Sequence, residues 1–139
     1  MRRDLLIITA ALLVVVAVTA AGCLSSGVAR ADILSVSTDK DLYHSNEVMQ
    51  ISLNVTSQAP LDNILLRIEG FEDRYGNLHV SREIMVNLTP GNTPFTESFR
   101  LPACSSCAGL KAGTYAINVT IEKDGRVLDA MSHEVGLQQ

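Results

Sequence analysis

Two kinds of hydrophobic pattern divide the chain. Leu5 to Ala21 is a continuous apolar run, interrupted only by Thr9 and Thr19. From Ile33 onward no stretch holds a helical period, and apolar residues alternate with polar ones instead. Alternation with period two is the mark of a half-buried strand. Glu47 to Val55 sets Met49, Ile51, Leu53 and Val55 on one face, opposite Gln50, Ser52 and Asn54. Asp62 to Glu69 aligns Ile64, Leu66 and Ile68, and Glu83 to Leu88 aligns Ile84, Val86 and Leu88. Tyr115 to Glu122 aligns Tyr115, Ile117, Val119 and Ile121. Leu34–Thr38, Phe95–Leu101 and Val127–Leu137 are weaker strands. In the last the period breaks around Asp129–His133, which predicts an edge strand or a bulge. Gln58-Ala59-Pro60, the loop around Tyr75-Gly76-Asn77, and the breaker Thr89 to Pro94 separate the strands. Asp124-Gly125 between two strands is a primed-turn hairpin signal. Seven short strands predict an all-β, seven-stranded antiparallel sandwich, preceded by an N-terminal hydrophobic signal or anchor helix.

The N-terminal run carries an address. Met1-Arg2-Arg3 is basic, and Ala20-Ala21-Gly22-Cys23 ends the run with small residues and a cysteine. Basic start, apolar middle and small-residue site are the parts of a secretory signal peptide. The run is short for a full span, which needs about 20 apolar residues. Its ending resembles the lipobox of prokaryotic lipoproteins, with Ala20 where Leu is commoner. The resemblance implies that the Cys23 thiol receives a lipid and becomes the new N-terminus. An uncleaved membrane helix is the alternative, and Arg2-Arg3 also resembles a twin-arginine signal. The chain then divides into a signal segment (1–23), a flexible tether (24–31) and a sandwich domain (32–139). The implied location is the extracytoplasmic face of the cell membrane, held by lipid or helix, with another envelope protein as a possible partner.

Two motifs carry a second resemblance. Thr38-Asp39-Lys40-Asp41-Leu42-Tyr43, followed by Asn46-Glu47-Val48, resembles the opening of bacterial and archaeal immunoglobulin-like or macroglobulin-like surface domains. Gly113-Thr114-Tyr115-Ala116-Ile117-Asn118-Val119 resembles their penultimate strand. The resemblance implies an immunoglobulin-like sandwich over Ile33–Leu137. Antibody-type hallmarks are missing: there is no Trp, and Ile117 stands in the place of the inter-sheet cysteine. Tyr115 either bonds upstream backbone as a tyrosine corner or keeps a wet hydroxyl.

Composition narrows the function. The 139 residues hold 11 Lys+Arg against 15 Asp+Glu, a net charge of −4, which argues against nucleic acid as a partner. With Cys23 lipidated, Cys104 and Cys107 remain, and their placement between strands favours a loop disulfide over a redox motif or a metal half-site. A rival reading is a small extracytoplasmic metal or thiol protein using Cys104, Cys107, Met131 and His133. His44, His79 and His133 otherwise read as partly exposed strand residues. The acidic groups Asp39/Asp41 and Glu69/Glu72/Asp73 read as solvated loop charge. Asn54, Asn87 and Asn118 open N-x-T triplets and fall on polar strand phases, which makes them candidate glycan acceptors. No nucleophile elbow, zinc-protease motif or phosphate loop occurs. The expectation is a non-catalytic, lipid-anchored surface module that binds or bears structure, with no cofactor and no metal.

Overall fold

The computed structural model describes residues 27–139. Cys23, the signal segment and part of the tether lie outside the described residues. Eight strands follow in order: β1 (Ala31–Thr38), β2 (Leu42–Tyr43), β3 (Val48–Ser57), β4 (Leu61–Glu72), β5 (Leu78–Leu88), β6 (Gly91–Arg100), β7 (Gly113–Lys123) and β8 (Arg126–Leu137). One sheet has the order β1-β3-β6, the other β2-β8-β7-β4-β5. Among the described residues no helix is long and apolar enough to cross a membrane.

The alternation seen in the sequence is the packing pattern. Met49, Ile51, Leu53 and Val55 face Ile64, Leu66, Ile68, Ile117, Val119 and Ile121 in one apolar core. Val86 and Tyr115 pack against that core but remain partly exposed. Each buried aliphatic side chain contributes roughly 1.5–3 kcal/mol relative to exposure.

Four expectations are corrected. There are eight strands, not seven, because Leu42 and Tyr43 form a two-residue strand. That strand pairs in parallel with Gly136 and Leu137, so the sandwich is not wholly antiparallel. Thr89 to Pro94 does not stay irregular: β6 begins at Gly91 and carries Pro94 opposite Asn54. The strand lies at a sheet edge, where a missing N–H is tolerated. Finally, Ala31 belongs to the domain rather than the tether, since it opens β1 and is buried.

The predicted hairpin forms at Asp124 (φ 51) and Gly125 (φ 77), the two positive φ values a primed turn requires. A register shift opposite Ile121/Glu122 skips Leu128, close to where the period of β8 breaks. The registers also sort the connections between two ends. Ala31 pairs with Ser57, Ser57 with Gly91 and Lys123 with Arg126. The entry to β1, the turns 58–60 and 89–90, and the 124–125 hairpin therefore share one end. At the other end Val48 pairs with Arg100, Glu72 with Leu78, and Gly113 with Leu137. The connections 39–47, 73–77 and 101–112 gather there.

Candidate functional site at the loop end

Each of the three loops is fixed by a buried or half-buried side chain. In the first, the fully buried Tyr43 donates its hydroxyl to Asp39 Oδ1 (2.7 Å) and accepts the Lys40 N–H (3.0 Å). The Gln50 N–H donates to the same Asp39 oxygen at 2.7 Å. The Gln50 amide, followed by the Tyr43 hydroxyl, holds the Asp39 carboxyl below its ordinary value. Burial, reinforced by Asp39, pushes the Tyr43 phenol up to about 12. The Thr38 hydroxyl closes the turn by donating to the Lys40 carbonyl (2.8 Å).

In the second loop Asp73 is the organiser. Its side chain is 3% exposed and accepts the N–H groups of Tyr75 (2.8 Å) and Asn77 (3.0 Å) on Oδ1. The Asn77 amide and His79 Nε2 sit 3.0 and 3.1 Å from Oδ2. Burial alone would raise this carboxyl. The Asn77 and Tyr75 donors and His79 outweigh burial and hold it far below the usual carboxylate range. A carboxylate that accepts backbone N–H groups two and four residues on is a loop clamp.

In the third loop the Tyr115 hydroxyl donates to the Lys111 carbonyl (2.8 Å) and accepts the Lys111 N–H (2.9 Å), which is the tyrosine-corner arrangement. Its ring stacks on Phe71 at 4.8 Å and 9°. Phe71 reaches the core side through a φ of 54. Cys104 and Cys107 are joined in this loop, with Cα atoms 5.2 Å apart. The Ala108 N–H donates to the Cys104 carbonyl (3.0 Å) and the Leu110 N–H to the Ser105 carbonyl (2.9 Å).

The loops are bonded to one another. The Asn46 N–H donates to the Pro102 carbonyl (2.8 Å), Ser45 and Ser105 hydroxyls meet at 2.8 Å, and the Arg74 N–H donates to the Gly109 carbonyl (3.2 Å). Gly109 has a φ of 84, and a Cβ there would come 3.2 Å from the Tyr75 ring. Tyr75 thus sits against the Gly109 backbone, 68% exposed, with the Arg74 guanidinium 4.7 Å from its ring centre. Beside it a depression of about 250 Å³ is lined by Glu72, Arg74, Lys111 and Tyr115, among others. The result is a rigid aromatic and cationic platform. It brings no nucleophile and base together at hydrogen-bond distance.

Two sequence expectations fail here. Asp73 is not solvated loop charge: it is buried and holds backbone N–H groups. Asp39 stays exposed, as expected, and in addition accepts the Gln50 N–H. The signal was present, since Asp73 precedes Gly76 and Asn77 in turn-rich sequence, but only the fold buries it. His44 lies in a loop rather than a strand, and its N–H donates to Glu47 Oε2 (2.9 Å).

The rival metal or thiol reading is not supported. Cys104 and Cys107 are bonded to each other in the loop. Met131 and His133 lie on β8, where His133 Nε2 is 3.0 Å from Thr38 Oγ1. Among the described residues no group of three His, Cys, Asp or Glu gathers as metal ligands. The three triplet asparagines occupy different settings. Asn87 and Asn118 are exposed on the outer face of the five-stranded sheet. Asn54 is half-buried in the other sheet, and its Oδ1 has no hydrogen-bond partner among the described residues.

No family model and no curated protein matches the chain. Solved structures do. The CARDB domain of a Pyrococcus furiosus protein, solved in complex with di-metal ions, superposes with a TM-score of 0.53 at 16% identity, covering 79% of this chain and 87% of that one. The C-terminal domain of wzt gives 0.59 at 14% identity, covering 78% and 74%. The alkylpurine DNA glycosylase AlkC of Pseudomonas fluorescens, bound to DNA, gives 0.59 at 14% identity. The match covers 80% of this chain but only 31% of the glycosylase. A putative β-galactosidase from Bacteroides fragilis is matched over 17% of its length. At these identities the likeness concerns architecture, and what it shows is that residues 31–137 form an immunoglobulin-like β-sandwich.

Proposed function

We propose that the chain is a non-catalytic binding or structural module held at the extracytoplasmic face of a prokaryotic cell membrane. The anchor in this reading is a lipid on Cys23, following the lipobox-like end of the apolar run. The observation that carries the binding role is the loop end. Three loops of different strands are locked together there and present Tyr75 and Arg74 on a rigid glycine seat. Exposed Tyr and Arg on a pre-organised surface are favourable for recognition, because little side-chain entropy remains to be lost. The partner class is another envelope protein. The likeness to the CARDB domain, itself a sandwich of similar span, supports a module role over an enzymatic one. N-glycans on Asn87 and Asn118 are part of the same reading, since both amides are exposed on strands facing out.

The test has two arms in native membranes. Metabolic labelling with a fatty-acid probe is expected to mark the wild type and not Cys23→Ser. A photo-crosslinking residue at position 75 is expected to give a discrete adduct that Arg74→Glu abolishes. Equal labelling of both chains overturns the anchor, and absence of an adduct overturns the loop-end role.

A further inference from the structure

We infer that the end of the sandwich opposite the loops faces the bilayer directly, with the 124–125 hairpin tip and the Gly27–Arg30 segment as its lipid-contacting surface. The inference rests on the Cys23 anchor proposed above.

The argument begins with chain length. Three residues lie between Cys23 and Gly27, and an extended chain spans at most roughly 14 Å over those four peptide steps. Residues 27–30 do not add a free spacer. Val28, Ala29 and Arg30 lie over the β7–β8 hairpin and line a depression of about 400 Å³ with Arg126, Val127 and Leu128. A second depression, of about 380 Å³, continues past Lys123 and Asp124. Ala31 is then buried at the start of β1. A lipid on Cys23 therefore brings this end to within one headgroup layer of the membrane.

The chemistry of the end fits that neighbour. Val28 is 71% exposed and Val127 53% exposed, on the two sides of one groove. Its charges are mixed rather than basic, with Arg30, Lys123 and the exposed Arg126 set against Asp32 and Asp124. Arg30 pairs with Asp32 (3.7 Å), and Lys123 Nζ donates to the Asp62 carbonyl (2.7 Å) and lies 3.9 Å from Asp124. Attraction to anionic lipid is thus weak, and contact depends on the covalent anchor and on the two valines entering the headgroup boundary. The twelve-residue β4 places the loop end ~40 Å farther out, well clear of the headgroups. One end touches lipid and the other meets partners.

Trp is absent from the protein, so one introduced indole reports alone. Full-length lipidated protein is reconstituted into neutral phosphatidylcholine vesicles containing a headgroup nitroxide lipid. Val127→Trp is expected to lose at least half its fluorescence relative to unlabelled vesicles, and Tyr75→Trp to be unchanged. Replacing a third of the lipid by phosphatidylglycerol is expected to leave both values unchanged. Vesicle-bound protein in which the two indoles are quenched equally, or position 75 more, overturns the orientation while the anchor stands. Protein that does not float with vesicles overturns the anchor and the orientation with it. Strong dependence on anionic lipid overturns the anchor-driven contact.

Discussion

At the residue scale the Thr38–Tyr43 segment is a polar lock around one phenol. Tyr43→Phe removes a bond to a carboxylate and leaves Asp39 with one donor fewer, which is expected to cost about 1.5–3 kcal/mol in denaturant unfolding. The same phenol sets an alkaline limit. Its proton is held more tightly in the folded state, up to about 12, than in an unfolded chain near 10. The unfolded chain therefore loses that proton first as pH rises. The stabilisation is complete below pH ~10 and is lost between ~10 and ~12, on the order of 2 kcal/mol. Urea midpoints across that range check it, and Tyr43→Phe should flatten the decline. Asp73 has the opposite sign. Its stabilisation is present above the ordinary carboxylate range and disappears as pH falls below it. Asp73→Asn is expected to lower the melting temperature by several degrees at pH 7 and to erase that acid dependence.

At the element scale the close approach of β4 to β7 leaves no room for a side chain at Gly70. An added Cβ would sit 2.9 Å from the Ala116 carbonyl oxygen. Because the obstacle is backbone, Gly70→Ala must push the strands apart. A loss of roughly 1–3 kcal/mol is expected by the overpacking rule. Ile117→Ala, facing the core from β7, is expected to cost about 2–5 kcal/mol through the cavity it leaves. The Cys104–Cys107 ring closes only a short loop segment. Breaking it in Cys104→Ser/Cys107→Ser should leave a folded domain about 2 kcal/mol less stable. Thiol counting on the native protein checks the pair directly, and two free thiols would contradict it.

At the scale of the molecule the two sheet faces differ in what they expose. The outer face of the five-stranded sheet carries Asn87 and Asn118, while Asn54 is drawn into the other sheet beside Pro94. Protein from its native source is therefore expected to show added mass on peptides containing Asn87 and Asn118, and little on the Asn54 peptide. Unmodified peptides at all three positions would rule glycans out. On the same face Arg67 links Glu83 (2.8 Å) and Glu122 (3.0 Å) across three strands. That network is mostly a matter of register, since exposed pairs are worth ~1 kcal/mol or less.

What the sequence determined by itself was local and periodic. Period-two alternation located part of each of the seven long strands and the apolar core faces of β3 and β7, but not buried residues such as Phe71, Val80, Phe99 and Val135. Asp124-Gly125 announced the hairpin, and Tyr115 was a possible corner before Lys111 was known to receive it. These are readable because a strand's faces and a tight turn depend on neighbours in sequence. The tertiary structure decided the rest. Leu42–Tyr43 became a strand only because Gly136–Leu137, far along the chain, offered a parallel partner. Pro94 entered a strand because β6 is an edge. Asp73 became a clamp because folding buried it among N–H donors no periodicity reveals, and Asp39 became one because folding brought the Gln50 N–H and the Tyr43 hydroxyl to it. The grouping of 39–47, 73–77 and 101–112 at one end followed from strand order. Strand order is set by which apolar faces pack together, a property of the assembled core that no single segment carries.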